Sequence, residues 1–268
     1  MAYLEREDGR RVYYEDLRGP GLPVMLIHGW AMSGRIWDAV TGALTQAGHR
    51  VITFDQRGCG LSDKDFTDSS VAALAGDAVA LAEALGLTSV VLNGWSLGGA
   101  VAAEAAARLG SRCAGLILTC AASPRYTRSA DFEHGGTTEN VLATVAAAGR
   151  NRAVFMRGVV GAVCAIPQEK PTEDWMWSLF MQSTPCADAS LADLAHLDQR
   201  ELLKGLATPV LAIAGGKDVF TPPAIGEAAA ALAPKGRLVI LTWCGHAPFI
   251  EEFDDYMHAV RGFLGELA

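Results

Sequence analysis

Charge is scarce in this chain of 268 residues: 22 basic and 30 acidic side chains make 19% of the total, against roughly 25% in an average soluble domain. The net charge of −8 and the lack of any Lys/Arg-rich run argue against a phosphate-binding surface, so nucleic acid is excluded as a partner. The six cysteines, Cys59, Cys113, Cys120, Cys164, Cys186 and Cys244, form no C-x-x-C pair and no zinc-like spacing. They read as small buried hydrophobes of a reducing, cytoplasmic compartment. There is no H-E-x-x-H, and His49, His134, His196 and His258 have no matching ligands nearby in sequence. No metal is expected. The N-terminus carries Glu5, Glu7 and Asp8 where a secretory signal needs an apolar stretch. Residues 84–103 are uncharged and long enough to span a bilayer. Gly86, Asn93, Gly94, Ser96, Gly98 and Gly99 break that run into a strand, a turn and a helix, and no membrane association is expected. Disorder is excluded too, because half the residues are hydrophobic.

Glycine, by contrast, is abundant at 29 residues, and it punctuates a regular alternation. The chain opens as a hairpin, with residues 3–7 and 10–16 flanking Asp8-Gly9, a tight-turn dipeptide. Apolar runs of strand length follow at 23–27, 50–54, 89–92, 114–119, 210–214 and 238–242. Helical stretches at 36–47, 70–85, 100–109, 223–232 and 249–267 lie between and after them, with Gly48 and Gly110 as C-terminal stops and Ser70 as an N-cap. Short, continuous apolar strands separated by helices specify a parallel sheet covered on both faces. The fold class is therefore α/β, one doubly wound domain. Its rhythm breaks between Ala122 and Leu206, where prolines and bulky residues replace strand patterning. Residues 1–123 and 207–268 are read as the core, and residues 124–206 as a mainly helical cap over the sheet's C-terminal edge.

The strongest chemical signal is Gly94-Trp95-Ser96-Leu97-Gly98-Gly99, a G-x-S-x-G between a strand and a helix. A serine on a sharp turn there holds its hydroxyl clear of the backbone, and the flanking glycines remove side chains that would collide with neighbouring elements. Serine at its ordinary pKa is a poor nucleophile and needs a base, which in turn needs an orienting acid. Asp218 and His246 each stand just past a buried strand. Parallel strands gather their C-terminal ends on one edge, so Ser96, Asp218 and His246 are expected to converge. Taken singly, Asp218 could cap the helix after Thr221, and His246 could be a loop histidine. An acyl-transfer site also needs oxyanion donors: the Leu97 N–H follows the serine, and the Trp30 N–H follows the strand ending at Ile27. His28 is expected to hold that loop by hydrogen bonds. Trp95, Trp175, Trp177, Phe180 and Phe220 are candidate walls of an apolar substrate pocket, although packing on the core would explain Trp175, Trp177 and Phe180 as well. Gly58-x-Gly60 lacks the third glycine of a dinucleotide-binding loop, since position 63 is Asp.

Taken together, His28-Gly29-Trp30, Asp55-Gln56-Arg57-Gly58-x-Gly60-x-Ser62, the Gly94–Gly99 turn, Gly216-Lys217-Asp218 and Gly245-His246-Ala247-Pro248 resemble the α/β-hydrolase superfamily. The resemblance spans about residues 3–123 and 207–267; the segment between carries no signature. HGW, GWSLGG and GHAPF are similar to the pimeloyl-acyl carrier protein methyl ester esterase group of small carboxylesterases. The DQRGxGxSD loop is closer to cofactor-free haloperoxidase-like esterases. The resemblance implies an α/β-hydrolase fold with Ser96 as nucleophile, His246 as general acid/base, Asp218 as its orienter and a structural role for the Asp55–Ser62 loop. It implies no cofactor.

The expected activity is a serine esterase working through an acyl-enzyme on a small-molecule carboxylic ester, as a monomer or weak homo-oligomer. Carbon–carbon bond hydrolysis and perhydrolysis by the same three residues are alternatives. A non-catalytic ligand receptor on a hydrolase scaffold is the alternative of another class.

Overall fold

The computed structural model describes residues 2–6 and 9–267. Its eight described strands are β1 (Ala2–Glu5), β2 (Arg11–Leu17), β3 (Gly21–Ile27), β4 (His49–Phe54), β5 (Val90–Trp95), β6 (Cys113–Thr119), β7 (Val210–Gly215) and β8 (Gly236–Leu241). They form one sheet in the order β1-β2-β4-β3-β5-β6-β7-β8. From β4 onward every neighbouring pair is parallel, while β1 and β2 run antiparallel. The opening hairpin closes with the Arg6 N–H donating to the Arg10 carbonyl at 2.8 Å, and Gly9 takes a φ of 77°. Asp8 of the expected tight turn lies outside the described residues.

Helices α1 (Asp38–Gln46), α2 (Val71–Ala84), α3 (Leu97–Leu109), α9 (Pro223–Leu232), α10 (Pro248–Glu251) and α11 (Phe253–Leu267) join or follow the strands. Alternate residues of each buried strand feed two separate cores. Met25, Ile27, Val90 and Leu92 pack with α2 and α3 on one face. Val24, Leu26, Val91 and Trp95 pack with Trp37, Val40, Tyr256 and Met257 on the other. Continuous apolar strands are therefore buried on both sides, as a parallel sheet requires. Ser70 caps α2 by accepting from the Ala73 N–H. The expected terminal helix is broken at Glu252 into α10 and α11.

Between β6 and β7 lie α4 (Thr138–Arg150), α5 (Arg152–Val163), α6 (Lys170–Phe180), α7 (Asp188–Leu194) and α8 (Arg200–Lys204). Residues of α4 to α7 face the C-terminal ends of the strands across a cavity, whereas α8 packs against α3 and α9 and buries Leu203 with the core there. Among the described residues no helix is long and apolar enough to cross a membrane.

Candidate active site

The turn from β5 into α3 is forced by contact. A Cβ at Gly94 would collide with the Gly98 carbonyl, one at Gly98 with the carbonyls of Ile27 and His28, and one at Gly99 with the Ala121 Cβ. With those side chains missing, α3 begins at Leu97, directly after Ser96. Ser96 itself takes φ 57° and ψ −122°, a region costly for any residue with a Cβ. Three main-chain bonds hold it there: its N–H donates to the Thr119 carbonyl at 3.0 Å, and its carbonyl accepts from Gly99 and Ala122, each at 2.9 Å.

The loop after β3 lies directly on this turn. A Cβ at Gly29 would come within 3.2 Å of the Ser96 Cβ, so the main chain at residues 29 and 30 passes beside the serine. His28 holds that loop, as the sequence suggested. Its Nε2 accepts from the Gln56 N–H at 2.9 Å, and its Nδ1 lies 2.7 Å from the Gly29 carbonyl. These partners fit a neutral ring with its proton on Nδ1. Burial lowers the His28 pKa below its ordinary 6.5, against the pull of Asp55. Asp55 accepts from the N–H groups of Gly34 and Leu61, each at 2.7 Å, and so shapes the loop after β4.

Asp218 follows β7, and His246 follows β8. The Asp218 Oδ2 lies 2.7 Å from the His246 Nδ1, with both residues buried. Its Oδ1 accepts from the N–H groups of Phe220 and Thr221 at 2.8 and 3.0 Å, and the Thr221 hydroxyl donates to Oδ2 at 2.7 Å. Asp218 therefore organises the turn before α9 and also lies against His246, but it does not cap that helix, whose N-cap is Pro222 without a side-chain bond. Burial alone would push its carboxyl up. The neighbouring His246 and the hydrogen bonds from His246 and Thr221 outweigh burial and keep it below the usual carboxylate range.

The His246 main chain is clamped on three sides. Its N–H donates to the Val163 carbonyl at 2.8 Å, and the Trp95 indole donates to its carbonyl at 2.6 Å. The Gly245 N–H donates to Glu251 at 2.8 Å, whose other carboxylate oxygen accepts from Ala165 at 2.7 Å and Ile166 at 2.8 Å. With Nδ1 engaged by Asp218, the ring's Nε2 is left for the cavity that His246 shares with Ser96.

Cys120, Asp218 and His246 bring possible ligand atoms within 4.8 Å of one another. The donor set suits hydrogen bonding better than a cation. Both Asp218 oxygens already accept N–H or O–H donors, and burial pushes the Cys120 thiol well above its ordinary value, with Asp218 adding to the shift.

The cavity measures about 160 Å³, and its wall includes Ser96, His246, Gly29, Trp30 and Leu97. Of the residues expected from sequence, Trp95, Phe180 and Phe220 also line it. Trp175 and Trp177 stand elsewhere. Trp175 packs against the core, while Trp177 sits under the Arg157 guanidinium and donates its indole N–H to the Ala153 carbonyl at 2.9 Å, joining α6 to α5. Phe155, Val159 and Val163 supply the wall from α5. Their spacing of four put them on one helix face, a signal available in the sequence. Tyr126 and Thr144 also line the cavity, and no motif marked them.

The chain matches the family described as the alpha/beta hydrolase fold over residues 23–253. It belongs to the α/β-hydrolase fold family. A pimeloyl-[acyl-carrier protein] methyl ester esterase from Xylella fastidiosa is 31% identical over 267 residues, covering 95% of this chain and 99% of that protein. Among solved structures, an esterase from Exiguobacterium antarcticum superposes with a TM-score of 0.94 at 26% identity, covering 98% of each chain. A bromoperoxidase from Bacillus anthracis superposes with a TM-score of 0.92 at 25% identity, covering 98% of this chain and 99% of that one. The expected fold class and the likeness to both esterase groups agree with these matches. So does the expectation of an ester hydrolase.

Proposed function

We propose that this α/β-hydrolase cleaves uncharged carboxylic esters through a covalent acyl-enzyme. The observation that carries the reading is the buried 2.7 Å contact between Asp218 and His246 beside a cavity that also holds Ser96 on its strained turn. Ser96 Oγ attacks the ester carbonyl while His246 Nε2 takes its proton, and Asp218 holds the ring in that tautomer. The oxyanion rests on the Leu97 and Trp30 N–H groups, with the start of α3 adding its dipole. His246 then returns the proton to the departing alcohol. Water, deprotonated by the same ring, opens the acyl-enzyme and frees Ser96. Residues 124–206 act as the cap, of which α4 to α7 shape the pocket. The six free thiols are in keeping with a cytoplasmic setting, and the small cavity is in keeping with a small-molecule ester as the partner.

A fluorophosphonate probe tests the assignment. The native chain should be labelled at Ser96, and Ser96→Ala should be neither labelled nor active on p-nitrophenyl esters. A receptor on this scaffold would leave the native chain unlabelled. Perhydrolysis is a second reading, favoured by the likeness to the bromoperoxidase. Hydrogen peroxide would replace water on the same acyl-enzyme and release a peracid, so adding peroxide to the ester assay tests it.

A further inference from the structure

A second chamber of about 290 Å³ adjoins the one at Ser96. Tyr126, Thr144, Leu191 and Phe220 line both and form the neck between them. The outer chamber adds Gly135, Gly136, Asn140 and Val219. Among the described residues, neither wall contains a formally charged side chain apart from the titratable His246. A carboxylate or ammonium entering either chamber would lose hydration with no counter-ion in the wall. The inner chamber, about 160 Å³, is close to the ~150 Å³ that encloses a benzene-sized molecule.

The neck carries two polar side chains that the proposed mechanism leaves unused, Tyr126 and Thr144. The Tyr126 hydroxyl makes no hydrogen bond to any described residue. Burial pushes its pKa up to about 12, with the Asp218 charge adding to it, so it remains a protonated donor at neutral pH. Thr144 spends its own proton on the Asn140 carbonyl at 2.9 Å, which leaves its oxygen able to act only as an acceptor.

We infer that the outer chamber is a second substrate subsite, and that the preferred substrate is a two-lobed, uncharged ester whose larger half carries an acceptor oxygen for Tyr126. The compact apolar half occupies the chamber at Ser96. The larger half passes the neck, where an amide, ether or carbonyl oxygen accepts the Tyr126 proton, and ends in the outer chamber beside Asn140. This inference rests on the esterase reading, because it presumes that the scissile bond lies at Ser96.

The test compares ethyl acetate with two neutral extended esters, 6-acetamidohexyl acetate and ethyl 6-acetamidohexanoate, and with an extended ester ending in a carboxylate. Gly136→Trp fills the outer chamber at a position where an added Cβ meets nothing within 4 Å; Asn140→Trp does the same from the exposed face of α4. In each variant the ratio of kcat/KM for the better extended ester to that for ethyl acetate should fall at least about tenfold, as expected when a pocket loses part of its volume. Tyr126→Phe should lower kcat/KM for the amide-bearing ester about fivefold to tenfold relative to its all-hydrocarbon analogue, the loss of one hydrogen bond. The carboxylate ester should be the poorest of the set. An unchanged ratio in both tryptophan variants, or a carboxylate ester turned over as fast as the neutral ones, overturns the inference. If the native chain hydrolyses no ester and Ser96 resists the fluorophosphonate, the esterase reading has failed instead.

Discussion

Replacing Ser96 with glycine should make the protein more stable while ending its activity. Ser96 holds φ 57° and ψ −122°, and a backbone in such a region costs about 1–3 kcal/mol when a Cβ is present. Glycine relieves that cost. Its freer unfolded chain takes back about 0.4–1 kcal/mol, leaving a net gain of about 1 kcal/mol. For a chain of this size that corresponds to a rise in Tm of about 2–4 °C. Ser96→Ala is the control, since it removes the hydroxyl but keeps the Cβ, and its Tm should stay near that of the native protein. Thermal unfolding of the three proteins followed by circular dichroism reads the difference directly, with p-nitrophenyl ester hydrolysis measured in parallel. A glycine variant melting at or below the alanine variant would show that the turn holds no strain to release, and the steric reasoning for the serine's position would fall.

Three more outcomes can be checked. Asp218→Asn keeps the shape of the turn but places an NH2 where Oδ2 faces His246 Nδ1, which forces the ring proton onto Nε2. Turnover should drop about 10⁴-fold, as in other triads, and a loss below tenfold would move the orienting role to another acid. His28 is buried as a neutral ring with its pKa held below 6.5. Between the folded and unfolded values the unfolded chain binds the extra proton, so stability should fall as pH drops below 6.5, by up to about 1.4 kcal/mol per pH unit. Urea unfolding at several pH values tests this, and His28→Gln should flatten the dependence. Glu251→Ala leaves the N–H groups of Gly245, Ala165 and Ile166 without their acceptor. It should cost about 2–3 kcal/mol of stability and lower kcat more than it raises KM; a change in KM alone would argue against a tie to His246.

The sheet was legible because its strands are short apolar runs. The expected strands at 23–27 and 210–214 fall inside β3 and β7. The start of α3 was not. Gly98-Gly99 reads as a turn, yet both glycines lie inside the helix, where neighbouring atoms leave no room for a side chain. The three chemistry-bearing residues stood out because each follows a strand, and a parallel sheet carries such positions to one edge. The pocket was harder to read. Trp175 and Trp177 drew attention by size, but an indole serves equally well as packing: Trp175 lies against the core, and Trp177 joins α6 to α5. Tyr126 and Thr144 became visible only once the chain segments around them met in space.

The clamp on His246 bears on how this architecture can diversify. Because the end of α5 supplies a main-chain acceptor to the imidazole loop and Glu251 bridges the two, any chimaera exchanging helices α4 to α7 with a relative inherits a constraint unrelated to substrate. The graft must reproduce the backbone course of residues 163–166, or the recipient loses the proper seat of the His246 loop. Side chains that face the pocket are free to vary around that fixed hinge point.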